Sequence, residues 1–389
     1  MWPRPHLFLY LIIFVHLYMS NHFIHVGIKT FGAPRLTQEE KITVLENMLI
    51  GDGFHWQKSI SVKLPGELKV LERETPSFHN RISLINIIPL ETYLECVVGS
   101  EMNPESPLEF LKAHAVISRS WALGKISGLH NSGNKGWINR PDKIVGWDDT
   151  GAHEGFHVCS DDHCQRYQGL QPVAPVALKA IRETANLVLL SPENEIVDAR
   201  FSKCCGGRLE EFSTCWQDTE VSCLESVADP WCDLSNLSPI SRKAFLSSVL
   251  KDYDRDTQGY GFRWEEKVRK SDIEKNLKLK FGKDIGKIKS LEPLHRGVTG
   301  RIDLLRVIGE NSYIDIGKEL WIRRLLSETH LYSSAFDIED AGEEIYLKGR
   351  GWGHGVGMCQ IGAARMAMEG YSFEDILSFY YPGSRVVSM

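Results

Sequence analysis

Residues 153–164 contain three histidines and two cysteines, a dense group of side chains that can bind a metal. These residues are His153, His157, Cys159, His163 and Cys164. Zinc binds imidazole nitrogens and thiolates in a tetrahedron, and an irregular loop can wrap such ligands around one ion. The pattern therefore predicts a zinc-binding loop. A disulfide between the two cysteines is the alternative that this spacing leaves open.

A second candidate site is the glycine-rich run GRGWGHGVGMCQIGA at residues 349–363. So many glycines leave little side-chain volume for a packed core. The run therefore favours a loop that exposes His354 and Gln360 to a ligand, and a structural turn is the alternative.

Glu101 falls between two predicted helices. Pro89 suits the first turn of one helix, and Gly99 can end that helix in the left-handed conformation. Ser106 and Glu109 then form a capping box for the next helix. A carboxyl just beyond a helix C-terminus meets the negative end of the helix dipole, which disfavours its ionised form. These features suit a general acid held by rigid neighbours, although a solvated loop glutamate fits the same local pattern.

The remaining pattern mixes strands and helices. Alternating apolar residues predict strands at 81–88 and 302–308, and helical spacing predicts helices at 107–125 and 175–185. The charge-rich stretch 233–289 predicts peripheral helices outside the active site. We find no repeat, low-complexity tract or linker, so we expect residues 24–389 to form one catalytic module of the α+β class.

The net charge and the N-terminal segment limit the functions and locations that the protein can have. The chain carries 51 acidic and 45 basic residues, a net charge of −6, which offers no overall positive field to attract nucleic acid. Arg4 precedes an apolar run at 7–15 that has the length of a signal-peptide core. We therefore expect residues 1–23 to be a signal or anchor segment of an envelope protein, whereas a true start at Met19 would leave the protein in the cytoplasm. Nine cysteines cannot all pair within one chain.

Three segments resemble the stage II sporulation protein D family, also called the amidase-enhancer family. The first is IPLETYLECVVGSEM at 88–102, followed by LKAHAVISRSWAL at 111–123. The second, FSKCCGGRLE at 201–210, is similar to the Ser-x-x-Gly-Gly-x-Thr-Glu segment of the family. The third is the glycine-rich run, followed by YYPG at 380–383. The family usually continues Glu-Met-Pro where this chain inserts Asn103, and it usually has serine where Cys359 stands.

The resemblance implies a set of site residues. The catalytic glutamate of the family corresponds to Glu101, and the zinc ligands correspond to His153, Cys159 and Cys164, with zinc stabilising the fold. The residues implied to bind substrate are Ser202, Gly206, Gly207, Glu210, His354 and Gln360.

The resemblance also implies an activity. It predicts a peptidoglycan lytic transglycosylase with a concave glycan-binding cleft, which cleaves the β-1,4 bond between N-acetylmuramic acid and N-acetylglucosamine and leaves a 1,6-anhydro product. One carboxyl can serve this route, whereas most glycosidases need two. The alternative is a non-catalytic protein that binds glycan strands and stimulates an N-acetylmuramoyl-alanine amidase.

Overall fold

The computed structural model describes residues 22–50, 57–71, 82–128, 137–147, 153, 155–160, 164–170, 174–251, 254, 258–329 and 331–389. Most of the predicted signal or anchor segment, 1–23, lies outside these ranges, and its last residue, Phe23, begins the first strand. Within the described ranges, no helix is both long and apolar enough to cross a bilayer.

The first part of the chain forms two sheets that share a core with two long helices. Its elements are β1 (Phe23–Lys29), β2 (Leu36–Glu39), β3 (Ile42–Ile50), β4 (Lys58–Pro65), β5 (Glu67–Val70), β6 (Ile82–Pro89), α1 (Leu90–Glu101), α2 (Leu108–Ile126), β7 (Trp137–Asn139), β8 (Lys143–Gly146) and β9 (Val158–Cys159). One sheet has the order β5–β6–β1–β9, with β9 parallel to β1, and the other is β2–β3–β4.

The middle of the chain adds its first elements to the first core and, from residue 264, builds a second hydrophobic core. Its elements are α3 (Pro175–Glu183), β10 (Leu187–Leu190), β11 (Phe201–Ser202), α4 (Phe212–Cys215), α5 (Pro239–Val249), a 3₁₀ turn (Gln258–Gly261), β12 (Arg263–Arg269), α6 (Lys270–Phe281), β13 (Ile288–Arg296), β14 (Ile302–Gly309), β15 (Tyr313–Gly317), α7 (Glu319–Leu326), β16 (Phe336–Ala341) and β17 (Glu344–Arg350). The sheets β13–β14–β15–β8–β7 and β12–β17–β16 pack with α6 and α7 around this core. Tyr332 contacts both cores.

The last elements return the chain to the first core. They are β18 (Met358–Cys359), α8 (Gln360–Met368), α9 (Phe373–Tyr380) and β19 (Arg385–Ser388). Strand β18 pairs in parallel with β11, and β19 pairs antiparallel with β10. The glycine-rich segment therefore lies beside the segment that contains Ser202.

The predicted α+β class is confirmed, as are the elements predicted from periodicity. The strands predicted at 81–88 and 302–308 correspond to β6 and β14, and the helices predicted at 107–125 and 175–185 correspond to α2 and α3.

The local signals around Glu101 are wrong in detail. Helix α1 continues through Gly99 to Glu101, and α2 lacks the predicted capping box. The Ser106 hydroxyl instead donates to the carbonyl of Ser248, and Glu109 accepts a hydrogen bond from the backbone N–H of Phe373. Both side chains therefore contact distant segments instead of capping α2.

The prediction of peripheral helices for 233–289 is also wrong. This stretch contains helices α5 and α6, but it also contains strand β12 and the start of β13, which belong to the second core. Alternation in β12 is hard to see in the sequence because charged residues occupy its exposed face.

Candidate active site and metal loop

Glu101 is presented from the end of a rigid helix. It is the last residue of α1, which buries Tyr93 and Val97 in the core and ends where Met102 adopts an extended backbone. Only 6% of Glu101 is exposed. One carboxylate oxygen, Oε1, accepts a hydrogen bond of 2.7 Å from the backbone N–H of Arg166. The carboxyl is therefore fixed in position by the main chain of a distant segment.

Charged side chains surround the end of α1. The Lys203 ammonium donates to the main-chain oxygen of Glu101 at 2.9 Å and lies 3.1 Å from a carboxylate oxygen of Asp254. Asp254 also pairs with the Arg166 guanidinium at 2.9 Å. All three of these side chains are buried. The network joins three separate segments at the helix end.

The pKa values of Lys203 and Asp254 in this network are shifted. Burial lowers the pKa of Lys203, and the attraction of Asp254 offsets only part of that effect. Burial raises the pKa of Asp254, but the adjacent Arg166 and Lys203 cations together outweigh it and hold that pKa below its usual value. Asp254 therefore stays ionised and compensates two buried cations.

The sequence did not indicate Arg166, Lys203 or Asp254 as site residues. Asp254 lies in the stretch predicted to be outside the active site, and the structure corrects that expectation. Arg166 is 65 residues from Glu101, and Lys203 is 102 residues from it. No local spacing could have indicated contacts of this range.

His354 lies half-buried in the glycine-rich segment. Its ring packs edge-on against Trp216, with the ring centres 4.9 Å apart, and the Arg200 guanidinium stacks 4.2 Å from the centre of the same Trp216 ring. Nδ1 of His354 accepts a hydrogen bond from the backbone N–H of Val356. Burial lowers the pKa of His354 to about 3, and the nearby Arg200 and Arg301 cations add to the effect. The imidazole is therefore neutral near pH 7.

Gln360 and Glu210 lie in the interior. Gln360 is 1% exposed and its amide nitrogen donates to Nε2 of His114 at 2.9 Å, so the predicted exposure of this side chain is wrong. Glu210 is fully buried and accepts hydrogen bonds from the Thr214 and Thr299 hydroxyls. Both side chains join segments of the fold, so we do not assign them as substrate contacts.

Ser202 and the paired glycines lie against the glycine-rich segment. Ser202 is buried beside Gly353, and its hydroxyl has no hydrogen-bond partner among the described residues. Gly206 has a φ of +85°, and a Cβ there would lie 2.8 Å from the backbone nitrogen of Gly351. Gly207 has a φ of +110°. Glycine at 206 is required because two backbones approach each other closely at that point.

The structure brings the three implied zinc ligands together. One ligand atom from each of His153, Cys159 and Cys164 lies within 4.8 Å of the others, and Nε2 of His153 is 3.4 Å from Sγ of Cys164. His157 is directed elsewhere, because its Nδ1 accepts from the backbone N–H of His25. His163 lies outside the described residues.

The candidate metal loop, which carries His153, Cys159 and Cys164, leads directly into the segment that holds Glu101. Cys164 is followed by Gln165, whose side-chain oxygen accepts a hydrogen bond from Tyr93 of α1, and then by Arg166. The backbone N–H of Arg166 is the donor to Glu101. An ion in this loop would therefore also restrain the main chain that positions the carboxyl.

Two family models match the chain. Residues 78–190 match the model described as stage II sporulation protein, and residues 210–357 match one described as a domain of unknown function, DUF8618. The first match contains Glu101 and the metal loop, and the second contains Glu210 and His354.

Curated relatives cover most of the chain. It is 26% identical to stage II sporulation protein D of Bacillus subtilis (strain 168) over 320 residues, which are 82% of this chain and 80% of that protein. It is 27% identical to the stage II sporulation protein D of Bacillus amyloliquefaciens over 81% of this chain and 79% of that protein. The amidase enhancer of Bacillus subtilis (strain 168) is 36% identical over 67 residues, 17% of this chain and 10% of that protein. The expected resemblance is confirmed.

Proposed function

We propose that this relative of stage II sporulation protein D is a peptidoglycan lytic transglycosylase with Glu101 as its catalytic acid and base. The observation that carries the proposal is the placement of Glu101 at the end of a buried helix, with its carboxylate held by the Arg166 backbone. The implied substrate is the glycan strand, and the implied location is the cell envelope.

One carboxyl accounts for the whole reaction. Glu101 donates its proton to the glycosidic oxygen as the bond from that oxygen to C1 of N-acetylmuramic acid breaks. The C6 hydroxyl oxygen of the same sugar then bonds to C1, and its proton passes to the Glu101 carboxylate. The products are a 1,6-anhydro sugar and a free N-acetylglucosamine hydroxyl, and the acid is regenerated without water.

His354 is the best-placed of the implied substrate contacts. It combines a neutral imidazole with the neighbouring Trp216 ring and Arg200 guanidinium. Aromatic rings pack on the apolar faces of sugars, and polar side chains bind their hydroxyls. Replacing His354 with alanine should therefore weaken binding or turnover.

The metal loop fits zinc. The donor set is one imidazole and two thiolates, which are ligands zinc prefers, at separations that one ion can span. His153, Cys159 and Cys164 would hold the ion, which when bound would cross-link the loop and stabilise the fold. Cys159→Ser should remove one equivalent of zinc and lower the melting temperature, because metal affinity is partly folding free energy. Metal-free protein with a Cys159–Cys164 disulfide would overturn this part of the proposal.

The decisive test is Glu101→Gln on purified sacculi. This change keeps the shape of the side chain but removes the transferable proton, so release of anhydro-muropeptides should fall by at least about 10²-fold. Mass spectrometry of the soluble products measures the release. Glu105→Gln is the matched control, since Glu105 is exposed in the turn between α1 and α2 and should keep native turnover. Near-native release by the Glu101 variant would refute the assignment.

The second candidate function is stimulation of an N-acetylmuramoyl-alanine amidase, which the match to an amidase enhancer favours. A purified amidase added to the same digests distinguishes the two functions. A pure enhancer would release no anhydro-muropeptides alone, would increase the release of stem peptides by the amidase, and would keep this effect after Glu101→Gln.

A further inference from the structure

Four buried side chains meet in the first core, away from the metal loop. They are Cys205, Asp229, Cys232 and Cys359, and one ligand atom from each lies within 4.8 Å of the others. We propose that these four residues form a second metal site, which binds a single divalent cation of the zinc type. The proposal does not depend on the activity of Glu101.

The distances fit one ion. Sγ of Cys205 lies 3.4 Å from Sγ of Cys232 and 3.2 Å from a carboxylate oxygen of Asp229. A tetrahedral zinc ion with Zn–S bonds of about 2.3 Å sets its thiolates about 3.8 Å apart. The backbone N–H of Cys205 also points at Sγ of Cys359, at 3.3 Å. Hydrogen bonds of this kind support metal-bound thiolates.

Asp229 is buried among neutral hydrogen-bond donors. Each of the four side chains is at most 1% exposed. The hydrogen-bond donors to Asp229 among the described residues are the Cys205 thiol, the Trp231 backbone N–H and the Tyr380 hydroxyl, all of them neutral. A divalent cation bonded to this carboxylate would give it a positively charged partner at bonding distance.

A disulfide explains the group less well. Sγ of Cys205 lies 3.4 Å from Sγ of Cys232, yet both are free thiols in the structure. A bond between them would not use the Asp229 carboxylate. It would also leave Cys359 without a role.

The ligand set indicates the class of ion. Three thiolates are soft donors that select zinc over magnesium or calcium, and a carboxylate is an accepted fourth ligand of zinc. Separations within 4.8 Å are too short for thiolates that must surround a cluster of several iron atoms. The coordination is complete with protein ligands, as in sites that stabilise a fold.

Such an ion would fasten three distant segments. Cys205 follows β11, Asp229 and Cys232 lie after α4, and Cys359 ends β18, 154 residues from Cys205. Lys203 lies two residues before Cys205 and donates to the main chain of Glu101. The second site would therefore restrain the segment that holds the end of α1.

The test counts zinc in the full-length protein. The protein is produced with added zinc, purified under reducing conditions without chelator, and analysed by inductively coupled plasma mass spectrometry. We expect two equivalents in the native chain, one in Cys232→Ser, one in Cys359→Ser, one in Cys159→Ser and none in the Cys159→Ser/Cys232→Ser double variant. Cys223→Ser is the matched control, because Cys223 is buried outside both groups and should keep two equivalents.

A cobalt measurement keeps the proposal testable if the Cys232 variant does not fold. Cobalt-loaded Cys159→Ser protein retains only the second site, and it should show the thiolate-to-cobalt charge-transfer absorption of a tetrahedral thiolate site. Absence of that absorption would overturn the proposal, as would one zinc equivalent in the native chain that Cys232→Ser retains. A Cys205–Cys232 disulfide found by peptide mapping of unreduced protein would do the same. These readouts are independent of turnover.

Discussion

Two buried polar groups near the N-terminal half of α2 are built on different principles. Beside Glu101, Lys203, Asp254 and Arg166 carry full charges that compensate one another. Between α2 and α8, His114 and Gln360 form a neutral pair, because an amide nitrogen can only donate and the imidazole must accept. The charged network surrounds the end of the helix that carries the proposed catalytic carboxyl, whereas the neutral pair joins two helices. Substitutions in the charged network should lower both stability and turnover, whereas substitutions in the His114–Gln360 pair should lower stability alone.

Asp254→Asn should have the largest effect. It removes the carboxylate that pairs with both Arg166 and Lys203, two buried cations. Loss of one partner of a buried ion pair costs about 3–5 kcal/mol, measured here by urea unfolding, and turnover per folded molecule should also fall. Glu67→Gln, at an exposed pair with Lys69, is the control and should change stability by less than about 1 kcal/mol. A similar small change for Asp254→Asn would show that the network is not a buried charge system.

Gln360→Met should have an intermediate effect. The change keeps the length of the side chain but leaves Nε2 of His114 without its donor. An unsatisfied buried acceptor costs about 1–3 kcal/mol, and turnover per folded molecule should remain native. Normal stability with a large loss of turnover would instead restore Gln360 as a substrate contact and remove the distinction between the two regions.

The pH dependence of stability should differ between the regions. Burial lowers the pKa of His114 to about 3, so between pH 3 and about 6.5 the unfolded chain binds a proton that the folded chain does not. The stability from this residue is full above about pH 6.5 and is lost as the pH falls, by at most about 1.4 kcal/mol per pH unit. Asp254 has a lowered pKa, so its contribution is lost only below about pH 4.

Urea unfolding at a series of pH values separates these two windows. His114→Gln should reduce the slope above about pH 4 and leave the acid limb in place, while the part due to His354, whose pKa is also lowered to about 3, remains. An unchanged slope in that variant would mean that His114 is protonated in the folded protein.

The sequence predicted what depends on neighbours in the chain. The helix before Glu101 and the candidate metal loop were visible because their residues repeat or cluster within a few turns, although that helix ends at Glu101 and not at Gly99 as predicted. The roles of Asp254 and Gln360 were not visible, because their partners lie 88 and 246 residues away. Ser106 shows the same limit at short range, since a contact with Ser248 replaced the cap that its neighbours favoured. The second proposed metal site, formed by Cys205, Asp229, Cys232 and Cys359, was not predicted because its ligands come from three segments.

The pairing of β10 with β19 also has a consequence for biosynthesis. Residues 187–190 receive their partner strand from 385–388, at the far end of the chain. Helix α2 packs against β10, so this part of the first core is completed only after residues 385–388 have left the ribosome. Contacts of such long sequence separation form late, and until then the nascent chain exposes an unpaired strand edge. The topology therefore requires that this incomplete part of the first core, α2 and β10, be protected during translation.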